Sequence, residues 1–343
     1  MNKKFFLFLA LFSILLVFSL YAQDLKPLGN DLSAVLDGFG KEILPNIAQS
    51  SLSGTGIGEA EIGDFPHMFF ALSGGAVLSH GIGTFIDKDN TNFELLNVYG
   101  LINTALENAD QNVQNLYTTS KTFFPYPNYR LSIGFGTVYG IESIVTFAIL
   151  HQGLVDFGTG LANITGITLN SFNGGIRLRK VLLSDTGGFP AVSFGAGYSY
   201  SSFNAGYSLK NFSQPMSSFT LNLEGSLNMA AAVHSAGFDL GISKKFFVFI
   251  PFLKTSAWYQ WADYKGTVKG FDAVVVNTDG NEITRYSKQV STDPGALYAL
   301  HNLSLLLTGG LEIKLGGFAL TASAVFNPSN LSVGVETGLR GQF

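Results

Sequence analysis

The chain has 343 residues, of which only 13% are charged against roughly 25% in an ordinary soluble domain, yet it carries 40 glycines and 13% aromatics. A water-soluble surface is hard to build from that composition, and a net charge of −4 excludes the basic face that nucleic-acid binding needs. The absence of cysteine excludes disulfides, thiolate metal sites and an acylated N-terminal cysteine.

The first residues, MNKKFFLFLALFSILLVFSLYAQD, place Lys3 and Lys4 before an apolar stretch from Phe5 to Leu20 and a small residue, Ala22. That is the pattern of a secretory signal, which assigns 1–22 to a signal peptide; the alternative is an uncleaved anchor. No other run of about twenty apolar residues follows, so helical spans do not explain the low charge. Residues 23–64 form an N-terminal segment. In NDLSAVLDGFGKEILPN the residues Leu32, Val35, Leu36, Phe39 and Ile43 make a helical stripe that Pro45 is expected to end. GTGIGE at 54–59 misses the spacing of a dinucleotide loop and reads as a linker to the first strand. Two readings of the helix stand: a plug folded into a lumen, or a periplasmic tail.

From residue 65 to 343 the dominant signal is period-two alternation. NYRLSIGFG sets Tyr129, Leu131, Ile133 and Phe135 against Arg130 and Ser132, and AVSFGAGYSY sets Phe194, Ala196, Tyr198 and Tyr200 against Ser193, Gly195 and Ser199. SSFTLNLEGSLNM sets Phe219, Leu221, Leu223, Leu227 and Met229 against Asn222, Glu224, Ser226 and Asn228. SAGFDLGIS sets Phe238, Leu240 and Ile242 against Asp239, and LHNLSLLLTGGLEIKL sets Leu303, Leu305, Leu307 and Leu311 against Ser304, Thr308, Glu312 and Lys314. The polar faces are rich in Gly and Ser and poor in charge, which suits a lumen better than a solvated sheet face.

The fold class expected is all-β: a transmembrane antiparallel barrel of about twelve strands, within ten to fourteen. The strands are 66–78, 129–138, 141–150, 164–172, 175–183, 190–203, 217–229, 235–243, 246–260, 300–315, 317–326 and 331–343. Residues 79–128, 151–163, 184–189, 230–234, 261–299 and 327–330 then become outward connections. Residues 204–216 fit this scheme badly as a turn, and 268–290 read as a hairpin folded near Asp279-Gly280. In the first long loop, Leu95, Tyr99, Ile102, Leu106, Ala109, Val113 and Leu116 recur at helical spacing, so one helical loop is expected.

No catalytic, metal or cofactor motif emerges. His67, His80, His151, His234 and His301 have no paired metal spacing, no G-x-S-x-G elbow is present, and DKDNTN at 87–92 lacks the glycine and distal glutamate of a calcium loop. The reading is therefore of a protein that is not an enzyme. The inward set is Arg130, Arg177, Arg179, Asn222, Glu224, Asp239, Glu312, Lys314, Glu336 and Arg340. These charges either pair with one another or line a solute path.

The chain ends LSVGVETGLRGQF, with Val333, Val335, Leu339 and Phe343 on one face and Glu336 and Arg340 on the other. This ending resembles the closing strand of bacterial outer-membrane barrels. The resemblance implies an outer-membrane location and contact with outer-membrane lipid. It also makes Phe343, Leu339 and Val335 an assembly signal read by the barrel-assembly machinery. A helix near the N-terminus and a helical loop are also similar to features of the long-chain fatty-acid transporter type. The function expected is passive transport of small solutes, hydrophobic ones among them; the alternative is a closed structural or surface-interaction barrel acting through its long outer loops.

Overall fold

The computed structural model describes residues 26–52, 57–61, 66–80, 123–137, 139–150, 167–215, 219–277, 279–280, 282–291 and 302–343. The signal peptide, the DKDNTN stretch, the loop helix, His151 and His301 lie outside these residues.

Helix α1 spans Lys26–Leu52. The strands are β1 His67–His80, β2 Phe123–Gly136, β3 Ile141–Leu150, β4 Ile167–Leu183, β5 Ala191–Pro215 and β6 Phe219–Ser243. They continue as β7 Phe249–Asn277, β8 Glu282–Ser291, β9 Asn302–Leu315, β10 Phe318–Asn327 and β11 Ser332–Gln342. All pair antiparallel, and β6 pairs with β7 while β1 pairs with β11, so ten strands close into a barrel. The eleventh, β8, pairs only with the far half of β7, and β9 takes over the near half.

Ten is fewer than the twelve anticipated because two pairs of expected strands are each one strand. Residues 164–172 and 175–183 merge into β4: Asn173, Gly174 and Gly175 pair straight through with Ser201, Tyr200 and Ser199 instead of turning. Residues 217–229 and 235–243 merge into β6, so the supposed loop 230–234 is mid-strand. Residues 204–216 are likewise mostly wall, the far part of β5.

Continuity changes which side of β6 faces in. Asp239 is inward, and with no register break between them Met229 must be inward too; it packs against the buried cluster of Leu44, Ile47, Ala48, Ala231 and Val233. The expected lipid assignment of Met229 is therefore reversed. The connection 184–190 also moves, lying at the same end as the tight turns before β3, β7 and β10.

Elsewhere the alternation reads correctly onto the barrel. Leu303, Leu305, Leu307, Val333, Val335 and Leu339 are exposed on the outside, while Ser304, Thr308, Glu312, Ser332 and Arg340 are buried within. An apolar exterior on a wall without edges is what a bilayer demands, since lipid offers no partner to a backbone N–H or C=O. Aromatics mark both rims. Tyr139, Phe189, Phe246, Phe247 and Phe318 stand exposed on or beside the tight turns. About ten residues further along the wall lies a cluster of Tyr198, Tyr200, Tyr259 and Trp261 around His234, whose ring stacks on Trp261 at 5.3 Å. The chain is thus a transmembrane barrel of the bacterial outer-membrane type, with short turns on the periplasmic side.

Beyond the second rim the wall is uneven. β5, β6 and β7 run on to Pro215, from Phe219 and to Asn277, roughly 50 Å of strand past the aromatic cluster. The 268–290 hairpin is present as β7–β8 and belongs to this projection, not to the membrane wall.

The last residue completes the closing ladder of β1 and β11: the Phe343 amide donates to the Met68 carbonyl at 2.8 Å and the Met68 amide donates back at 3.1 Å. Phe343 is 76% exposed on the outside, whereas Gln342 turns inward and is half-buried. Phe343→Asp should therefore lower the amount of folded, heat-modifiable barrel in membrane fractions far more than Gln342→Asp. Leu307→Arg, on the lipid face between the two aromatic rims, should impair insertion by about 2–4 kcal/mol, read as loss of the fast-migrating form in unboiled samples.

Candidate functional site

The site is the lumen, and the N-terminal segment occupies it. A barrel of eight strands is about filled by its own side chains, so ten leave room for little more than one extra chain. Helix α1 fits only where the inner wall is lined by small residues. Leu44, Ile47 and Ala48 pack on Ala231, Val233 and Ala262, and the Tyr264 hydroxyl donates to the Leu36 carbonyl at 3.0 Å. Gly40 is required there, because a Cβ at that position would lie 2.5 Å from the Tyr264 ring.

Pro45 does not end the helix, contrary to the sequence expectation. Asn46, Ile47, Ala48, Gln49 and Ser51 beyond it are all buried, so packing offsets the one backbone bond that proline removes. The helix ends instead at Leu52, which packs against Trp258, Leu306 and Val325 of the wall. Arg130 donates to the Ser50 and Ser51 carbonyls at 2.9 and 2.8 Å, satisfying acceptors left free at the last turn and placing a cation at the negative end of the dipole. Gln49 accepts from Asn327 at 3.3 Å and bonds Ser332, tying the helix to the β10–β11 turn.

The chain then continues in extended form, which is thinner than a helix. Residues 57–60, read from sequence as linker, are wholly buried in the periplasmic half of the lumen. Ile57 packs with Phe69, Ala71 and Ile144. Gly58 lies flat on Phe252, where a Cβ would come within 2.3 Å of the ring, and its amide donates to Glu312 at 2.9 Å. The Glu59 carboxylate receives Lys314 at 2.8 Å and Arg340 at 3.3 Å, while its carbonyl accepts from Arg179 at 2.5 Å. The Ala60 amide donates to Ser243 at 2.8 Å.

Behind this clamp the wall pairs its own charges. Arg340 meets Glu312 at 2.5 Å, Arg179 meets Glu142 at 2.7 Å with His67 at 3.5 Å, and Arg177 pairs with Asp239. Nearer the outer rim Asn128 donates to Glu336 at 3.1 Å. Eight of the ten inward residues proposed from sequence thus line this lumen: Arg130, Arg177, Arg179, Asp239, Glu312, Lys314, Glu336 and Arg340. Glu224 does not. It is exposed on the projecting part of β6, where strand continuity reverses the face, and the side chain of Asn222 lies outside the described residues. Sequence reasoning missed Glu59, Glu142, His67 and Lys254. Only Glu142 carried a usable signal, as the single charge in an otherwise apolar and hydroxyl strand.

A small cavity of about 30 Å³ remains at mid-height, lined by Arg177, Asp239, Lys254, Trp258, Leu306 and Glu336 among others. At the periplasmic mouth Asp185 bonds Lys244 at 2.5 Å and the Lys245 amide at 2.8 Å, joining two turns.

No family model matches the sequence, and no curated protein matches it. Among solved structures it is similar to the translocator domain of the autotransporter NalP from Neisseria meningitidis, at 7% identity and a TM-score of 0.36 over 81% of this chain and 88% of that one. It is also similar to the outer membrane protease OmpT from Escherichia coli, at 8% identity and a TM-score of 0.37 over 82% and 99%. A third is the toluene transporter TbuX from Ralstonia pickettii, at 8% identity and a TM-score of 0.25 over 86% and 93%. At such identities and scores these likenesses carry nothing about activity.

Removing one partner of a buried pair leaves the other uncompensated, at about 3–5 kcal/mol. Glu312→Gln should therefore lower the thermal midpoint of the β signal in detergent, and adding Arg340→Gln should recover part of the loss. The mouth should also respond to pH. Burial, then the carboxylates of Glu59 and Asp185, push the Glu61 carboxyl above its usual range, so its protonated form is favoured in the folded state. The contribution of Glu61 to docking should be fully present below the ordinary carboxylate range and lost as pH rises through and past it. The bonds from Lys244 and the Lys245 amide hold Asp185 below its usual range, so that staple should be intact at neutral pH and lost in strong acid. Protease protection of the segment against pH, in wild type and in Glu61→Gln, reads the first effect.

Proposed function

We propose that this chain is a barrel held shut by its own N-terminal segment, acting at the cell surface through the sheet that β5–β8 raise beyond the membrane. The observation that carries the reading is the clamp on residues 57–60, where both side-chain and backbone groups of the segment are bound by wall residues of β4, β6, β9 and β11. A pore that conducted in its resting state would leave Lys314 to water or solute and Arg340 to Glu312 alone. Here both hold Glu59.

In this reading the protein is not an enzyme. Its partners are outer-membrane lipid around the apolar belt and the assembly machinery at β11, with no role for nucleic acid. A second reading, passage of small and partly apolar solutes once the segment is displaced, is supported by the mid-height cavity, whose lining joins Trp258, Leu306 and Val325 to Arg177 and Lys254.

Planar bilayer recording separates the two. Purified wild type should be silent at low voltage, and a variant lacking residues 26–61 should give stable openings. Glu59→Ala, which frees Lys314 and leaves Arg340 to Glu312 alone, should give intermittent ones. Stable conductance from the wild type would overturn the closed reading and favour transport.

A further inference from the structure

The contacts of the N-terminal segment follow one another down the lumen in strict order. Leu36 and Gly40 meet Tyr264 and Gly266, past the aromatic cluster that marks the outer rim. Leu44 to Ala48 meet Val233 and Ala262 at that rim, Leu52 meets Trp258 and Leu306 below it, and Ile57 meets Phe69 and Ile144 lower still. Ala60 reaches Ser243, the last residue of β6 beside the tight turns. Residue 66 then leads into β1 from the same end. Contacts between α1 and β8 agree, since β8 exists only in the projecting sheet.

From this order we infer that the N-terminal end of α1 lies on the outer side of the membrane, so that the chain threads its own barrel from outside to periplasm before the first strand begins. Had the segment entered from the periplasm, Leu36 would lie near Ser243 and the short turns, and Glu59 near the rim. The order is the reverse. One consequence follows. Asn30, exposed near the start of α1, becomes a cell-surface position beside the β5–β8 sheet.

The helix is held at this height by close packing, which gives a direct test. A Cβ at Gly266 would lie 3.0 Å from that of Leu36, inside the roughly 3.5–4.5 Å that a disulfide spans, so a shift of under an ångström lets the two positions bridge. The chain has no cysteine, so every introduced thiol is unique. The pair Leu36→Cys with Gly266→Cys should form a disulfide in the cell envelope, seen as a reductant-sensitive mobility shift. In parallel, intact cells carrying Asn30→Cys, Asp279→Cys at the β7–β8 tip, or Gly188→Cys in the β4–β5 turn are treated with a membrane-impermeant maleimide. Asn30→Cys should label within about twofold of Asp279→Cys, and Gly188→Cys at least tenfold less until the cells are permeabilised. Labelling of Asn30→Cys only after permeabilisation, with Asp279→Cys labelled from outside, overturns the threading. Failure of the disulfide overturns the helix placement, and a reversal of the two reference positions overturns the orientation on which the inference stands.

Discussion

The structure rests on the requirement that a backbone in lipid satisfy every hydrogen bond within itself. That is met only when β1 finds β11, and the bond pair between Met68 and Phe343 completes the ring at its periplasmic end. Closure has a geometric consequence. With ten strands the lumen is too wide to be filled by glycine and serine alone and too narrow for a free second domain. What fills it must be thin, and the chain supplies a helix where the wall is small and an extended strand where the wall is bulky.

The lumen is also where charge is stored. A sheet face cut off from bulk water cannot keep isolated ions, so Arg179, Arg340 and Lys314 are matched by Glu142, Glu312 and Glu59. Two of those carboxylates belong to the wall and one to the segment that fills it. The wall is therefore electrostatically complete only with the segment in place, which ties stability and closure to the same contacts. Gly40 and Gly58 serve that docking from the other side, by letting backbone lie against Tyr264 and Phe252 where any side chain would collide.

Outside the membrane the molecule is asymmetric. β5, β6 and β7 continue far beyond the aromatic rim while β1, β9, β10 and β11 stop near it, so one side of the barrel carries a projecting sheet. The upper part of α1 lies against the inner face of this sheet, where Tyr264 and Val268 would otherwise be exposed apolar surface. The helix thus covers one surface and leads into the clamp that fills the other.

Alternation is a local property, set by the pleat, so the sequence by itself determined the barrel, its lipid-facing residues on β2, β5, β9 and β11, and most of the charges that point inward. It failed where neighbours across the ladder decide. Gly174 and Gly175 look like a turn until Tyr200 and Ser199 are seen to pair with them. Residues 230–234 lack alternation because the inner face there meets the apolar side of α1, leaving both faces of the strand apolar. Pro45 and Gly58 carry local signals for a break and a linker, and both are overruled by burial of the residues around them. Only the tertiary structure decided the strand count and the place of Glu59, because a carboxylate's partners at positions 179, 314 and 340 are fixed by barrel closure and by no spacing along the chain.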